Sequence, residues 1–170
     1  MNKIMQGEDK LKGLSDAIKV SDHNAIYNFS KELLKEQPDD LDFQQCYILS
    51  SIKLGRAEEA TQQYFRQPPS DPSLQLLYAY SFYDRGEFQK TITYINSLKN
   101  HSSLKLLLAQ AHFRAFNYAQ SAELMLSLLK ESNLMEEEKE EYVINLMATG
   151  FNRALSCEIV TSFEKLIVSA

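Results

Sequence analysis

The residues of this chain best able to do chemistry are three histidines and two cysteines, and their spacing keeps them apart. His23, His101 and His112 lie far from one another, and none has a Cys or carboxylate at metal-ligand spacing. His112 takes the place of a core aromatic and His101 sits in the polar turn "KNHSS", so neither reads as a ligand. Cys46 and Cys157 give no paired motif and no disulfide framework; both read as reduced thiols in a cytosolic helical core. The sequence contains no Ser–His or Cys–His arrangement, Gly-rich phosphate loop or HExxH. The expectation is therefore no enzyme, no metal and no cofactor.

The chemistry that remains is recognition. The stretch "YAYSFYDRGEFQKTITYI", residues 78–95, carries aromatics on more than one side of a helix. At about 100° per residue, Leu74, Tyr78 and Phe82 form one stripe. Leu76, Tyr80 and Tyr83 form a second, roughly opposite, with Ala79 between the two. A surface helix needs one apolar face, and this one has two.

The elements that hold these stripes are helices. Leu, Ala, Glu, Gln, Lys and Ser dominate, and period-two runs of Val, Ile and Thr are absent. The 170 residues, 44% hydrophobic, suffice for one domain with a core. The N-terminal "MNKIMQGEDK" lacks the apolar centre of a secretory signal, and no apolar run reaches the length of a membrane span. A net charge of −5 without a Lys/Arg cluster argues against nucleic-acid binding by this chain. The acidic run "MEEEKEE", residues 135–141, reads as a solvated helix start or as a negative knob for a basic partner.

An internal repeat organises the helices. Pro38 and Pro72 stand one period of about 34 residues apart, each after a polar stretch and before an apolar-periodic segment. Asp71 is the natural N-cap of the helix that Pro72 begins. Interior turns recur in "KLGRAEEA", "DRGEFQKT" and "RAFNYAQSA", where Gly55, Gly86 and Asn117 are the expected left-handed residues. The third segment repeats the double stripe: Leu104, Leu108 and His112 on one side, Leu106, Gln110 and Phe113 on the other.

These residues resemble the tetratricopeptide repeat, a helix-turn-helix unit of about 34 residues. The unit from Pro72 carries its marks at Ala79, Phe82, Gly86, Phe88 and Thr91. The unit from Leu41 carries them at Gly55, Ala60, Tyr64 and Pro72, with Ile48 where a small residue is usual. The unit from Ser102 keeps Ala109, Tyr118 and Ser121. A degenerate first unit keeps only Pro38 and a helical pattern; a last one has "YVINLMATGFN" as first helix and "SCEIVTSFEKL" as second. The resemblance implies an all-α, right-handed superhelical solenoid, with units over residues 7–40, 41–71, 72–101, 102–135 and 140–170 in a single domain. It places Tyr78 and Phe82 in the packing between helices. It places a concave, partner-binding groove on Leu49, Ile52, Leu76, Tyr80, Tyr83, Leu106, Gln110, Phe113, Arg114, Asn145 and Phe151.

Among such repeats, the chaperone-binding kind clamps a carboxylate with Lys, Asn and Arg. The equivalent places here hold Gln45, Leu49, Leu77, Ser103 and Leu107, which cannot form that clamp. Over residues 72–152 the order "SLQLLYAYSFYDRGEFQKTITYI", "LKLLLAQAHFRAFNYAQSAELMLSLLKES", an acidic insert and "EEYVINLMATGFN" is similar to the N-terminal repeat domain of the signal recognition particle 72-kilodalton subunit family. That resemblance implies a cytoplasmic ribonucleoprotein scaffold, also associated with the endoplasmic reticulum in co-translational targeting. Its groove would grip the C-terminal region of the 68-kilodalton subunit. Family RNA binding would lie in a basic segment outside this chain, which then reads as the N-terminal part of a longer one. Intraflagellar-transport or coatomer-like adaptors and a self-associating solenoid are the alternatives.

Overall fold

In the computed structural model, which describes residues 2–59, 62, 69–98, 102–130 and 135–151, the chain is helical throughout, with no strand among those residues. It divides into two units, Met1–Glu87 and Phe88–Ala170. The sequence reading treats the chain as one domain, so the division after Glu87 is new. Helices α1 (Asn2–Lys19), α2 (His23–Glu36), α3 (Leu41–Lys53) and α4 (Pro72–Asp84) belong to the first unit, and residues 57–59 are also helical. The second holds α5 (Phe88–Ser97), a 3-10 turn at Ser102–Leu104, α6 (Lys105–Arg114), α7 (Tyr118–Leu129) and α8 (Glu136–Phe151).

One turn, found four times among the described residues, explains where α1, α3, α4 and α6 stop. Ser21, Gly55, Gly86 and Phe116 each take the left-handed conformation, with φ of 55°, 69°, 75° and 63°. The N–H of each donates to the carbonyl three residues back: to Ile18, Ile52, Tyr83 and Phe113. The next N–H reaches five residues back, from Asp22, Arg56, Glu87 and Asn117 to Ala17, Ser51, Phe82 and His112, at 2.7–3.0 Å. This pairing closes the orphan carbonyls of a helix end. Glycine fits it without strain, and two of the four sites have glycine. At the third repeat the expectation of Asn117 is corrected by one residue: Phe116 is left-handed, while Asn117 has φ −87° and caps α7. The first unit, which in sequence keeps only a proline and a helical pattern, has the same turn on Ser21.

Three starts in the first unit are set by aspartate. Asp22, Asp40 and Asp71 cap α2, α3 and α4; their Oδ1 atoms accept from Ala25 at 3.1 Å, Phe43 at 3.0 Å, and Ser73 and Leu74 at 2.9 and 3.1 Å. Pro72 follows Asp71 in the first turn, where its missing N–H costs nothing.

Counting back from the left-handed residue puts the repeats in register. Twelve positions back stand Phe43, Leu74 and Leu104; seven back stand Leu14, Ile48, Ala79 and Ala109, and all are buried. In the first unit α1 packs on α2, α2 on α3 and α3 on α4. Leu14, Ala17, Ile26, Leu33 and Phe43 share one cluster there. In the second α5 packs on α6, α6 on α7 and α7 on α8. Ala109, Ala122, Met125, Leu128, Tyr142 and Leu146 form its core. Each Leu or Phe so covered contributes about 1.5–3 kcal/mol. Small residues allow close approach: the buried Ser121 Oγ donates to the Ala109 carbonyl at 2.8 Å, tying α7 to α6.

Candidate functional site

Part of the exposed apolar surface follows the same register: Leu11, Ile18, Leu49, Leu76 and Tyr80 do, whereas Val20, Leu41, Phe116, Met135, Ile144 and Met147 do not. Ten, six and three positions before each turn, a first helix presents one narrow face, since these places lie within about 60° of each other at 100° per residue. On α4 they are Leu76, Tyr80 and Tyr83. Leu76 and Tyr80 are each 43% exposed, and Tyr83 is half-buried, its ring stacked on Tyr80 at 6.2 Å and 28°. The opposite stripe, Leu74, Tyr78 and Phe82, is buried, with Ala79 wholly covered. Burial pushes the Tyr78 hydroxyl up to about 12.

On α3, which packs on α4, the same places hold Gln45, Leu49 and Ile52. Leu49 is 45% exposed, but Ile52 is 6% exposed and belongs to the packing of its unit. Leu41, at the start of α3, extends the exposed row. On α1 the places fall on Leu11, Ser15 and Ile18, all exposed. Sequence reasoning missed Leu11 and Ile18; the signal was "VSDHN", a left-handed Ser21 before the capping Asp22.

The other candidates lie in the second unit. Leu106, Gln110 and Phe113 occupy the equivalent places on α6, and all three are half-buried. Leu106 packs against the Ala109–Leu146 core. Phe113 meets Tyr118 edge-on at 5.5 Å, and the exposed Arg114 lays its guanidinium 5.0 Å from the centre of the Phe88 ring. Asn145 is half-buried on α8, between the exposed Ile144 and the buried Leu146. The Phe151 side chain, His101, Cys157, Ala60, Tyr64 and the second helix of the last repeat lie outside the described residues.

The ionisable cluster around Tyr27 serves packing. The Tyr27 hydroxyl donates to a Glu59 carboxylate oxygen and accepts from the Lys31 ammonium at 2.8 Å. Tyr47 stacks on the Tyr27 ring at 5.3 Å, and the Arg56 guanidinium lies 4.9 Å from its centre. The hydrogen bond from Tyr27 holds Glu59 below the usual carboxylate range, and the same hydroxyl raises Lys31. Burial above all pushes the Tyr47 hydroxyl up. These groups answer one another and join α2, α3 and the helical residues 57–59.

His112 is half-buried, with its Nδ1 3.4 Å from Asn117 Nδ2, and burial lowers its pKa. The Cys46 thiol is raised by burial first and by Asp42 and Asp40 next, which makes it a poor nucleophile. Among the described residues no three of His, Cys, Asp and Glu converge as metal ligands do, and no helix is long and apolar enough to cross a membrane. Comparison of the chain with protein-family models and with curated proteins finds no match.

Proposed function

We propose that this chain is a protein-interaction scaffold built on a right-handed, tetratricopeptide-like superhelix. In this reading the first-helix faces bind an extended or helical segment of a partner protein. The observation that carries the proposal is the exposed row of Leu49, Leu76 and Tyr80 on two adjacent helices whose opposite sides are already buried. Isolated exposed leucines are ordinary, but an apolar row carried across two adjacent helices is the kind of surface a partner covers. The similarity of residues 72–152 to the signal recognition particle 72-kilodalton subunit family supplies the partner. It is the C-terminal region of the 68-kilodalton subunit, met in the cytoplasm and at the endoplasmic reticulum. With 18 Lys and Arg against 23 Asp and Glu, direct RNA binding is not part of the proposal.

Calorimetric titration of that segment into the wild-type chain and into Leu76→Ala and Tyr80→Ala tests it. Each change should weaken binding by about 2 kcal/mol, roughly thirtyfold, without unfolding the protein. Folded variants with undiminished affinity would place the partner elsewhere. A chain that sediments as a dimer through the same row, and loses the dimer on Tyr80→Ala, would favour self-association instead.

A further inference from the structure

The charges on α3, α4 and the residues leading into them are mostly negative. From Gln37 to Ile52 and from Pro69 to Asp84 there is no Lys or Arg, while Asp39, Asp40, Asp42, Asp71 and Asp84 fall in those segments. The exception is Lys53, the last residue of α3, which stands exposed one turn after Leu49 as Asp84 does after Tyr80; Arg85 after α4 is held by Glu87 at 2.6 Å. Elsewhere in the first unit four lysines are paired. Lys10 meets Glu36, Lys19 meets Asp16, Lys31 meets Glu59 and Lys35 meets Glu32.

Helix stability accounts for part of this acidity. Asp40 and Asp71 are caps, and Asp42 stands in the first turn of α3, where the macrodipole favours a carboxylate. It does not account for Asp84, the last residue of α4, where a negative charge opposes the dipole. Geometry relates both exposed groups to the apolar row. Asp42 lies two turns before Leu49 and Asp84 one turn after Tyr80, so each borders the side from which its helix presents the row.

We propose that the α3–α4 face takes a cationic amphipathic segment. Its apolar side chains, spaced three and four residues apart, lie on Leu49, Leu76 and Tyr80, and its Lys or Arg residues face Asp42 and Asp84. This rests on the scaffold reading above and adds the charge of what is bound. Opposite charges at the border of an apolar contact set orientation, speed association and reject acidic competitors.

The test uses the whole 170-residue chain and three fluorescent synthetic peptides followed by anisotropy. One has leucines at three- and four-residue spacing with lysine between them. The second replaces every lysine by glutamate, and the third scrambles the lysine peptide so that its apolar period is lost. The lysine amphipath should bind at least about tenfold more tightly than either. Its advantage over the glutamate peptide should shrink between about 50 mM and about 500 mM salt. Asp42→Asn with Asp84→Asn, both at exposed positions, should cut that preference several-fold, whereas Tyr80→Ala should weaken the lysine peptide without altering the salt dependence. Equal or tighter binding of the glutamate peptide overturns the charge assignment and leaves the scaffold reading standing. Equal binding of the scrambled peptide also overturns it, as general attraction to an acidic protein. If neither ordered peptide binds, the scaffold reading fails and this inference falls with it.

Discussion

Helices α4 and α6 share one register and end in one turn, yet they spend their second stripe differently. In α4 the places ten, six and three before the turn are Leu76, Tyr80 and Tyr83, with the first two exposed. In α6 they are Leu106, Gln110 and Phe113, all half-buried, with Leu106 drawn onto the core and Phe113 against Tyr118. The buried stripe runs the other way in quality. It is wholly covered in α4 through Phe82, but in α6 the same place is the half-buried His112. A repeat fixes which direction a position points, and the neighbours decide how much of it stays wet. The apolar row on α4 is thus a property of its unit and not of the repeat pattern alone.

The largest way to break this contrast is truncation across α4. Tyr78→Ala empties a buried site and should cost about 3–5 kcal/mol. Tyr80→Ala, four-tenths exposed on the opposite face, should stay within about 1 kcal/mol of wild type. Urea denaturation of the two variants decides it. Equal losses would make the second stripe core and remove the docking surface.

Next comes the close approach that both helices share. Ala79 and Ala109 occupy the same place and both are fully buried. Leucine at either should overpack the site and cost about 1–3 kcal/mol. The Ala109 change should cost more, because Ser121 Oγ hydrogen-bonds the Ala109 carbonyl and holds α7 against it. Thermal melts of Ala79→Leu and Ala109→Leu check the order; an unshifted melt in either denies an interhelical contact there.

What was legible in the sequence divides along physical lines. Period and polarity are local properties, so the helices, the Asp71 cap before Pro72 and the two opposite stripes of α4 could be read from spacing, while the choice of Tyr78 and Phe82 as the packed side came from the repeat resemblance. The third turn was misplaced by one residue because Asn is the better left-handed residue in isolation, whereas closing α6 required Phe116. The first repeat was nearly lost for a similar reason: Ser21 is not a residue that announces a left-handed turn. Ile52 shows the other limit. Its spacing matches the exposed Leu49, and only packing within its unit hides it. Which side chains the neighbours cover is a tertiary fact that a single helix's pattern does not contain.

The turns allow a smaller and cleaner comparison. At Gly55 φ is 69° and an added Cβ meets nothing within 4 Å, so Gly55→Ala isolates backbone strain. It should destabilise by about 1 kcal/mol. Phe116 already bears that strain at φ 63°, is 77% exposed and touches Tyr118 edge-on at 6.2 Å. Phe116→Gly should therefore stabilise the protein, by up to about 1 kcal/mol less what the aromatic contact supplied. Opposite signs in paired melts are expected; equal signs would deny that the two turns are equivalent.

The smallest effect is the titration that α6 has and α4 lacks. Burial lowers the His112 pKa below its ordinary value, so the folded state disfavours the imidazolium relative to the unfolded chain. The sign follows directly. Above an unfolded pKa of about 6.5 the ring is neutral in both states and stability is at its full value. As pH falls through that value toward the lower folded pKa, the unfolded chain takes up the proton first and stability declines. Below the folded pKa the loss is complete and the dependence ends. The ring is only half-buried, so the amplitude is small beside the packing effects. Other groups titrate in the same interval, and the difference between wild type and His112→Phe is the quantity to read. Phenylalanine reproduces the Phe82 of α4, and the decline in melting temperature between about pH 7.5 and pH 5.5 should be shallower in that variant. Parallel profiles would mean that His112 is as solvated when folded as when unfolded, and that α6 buries its stripe no further than Leu108.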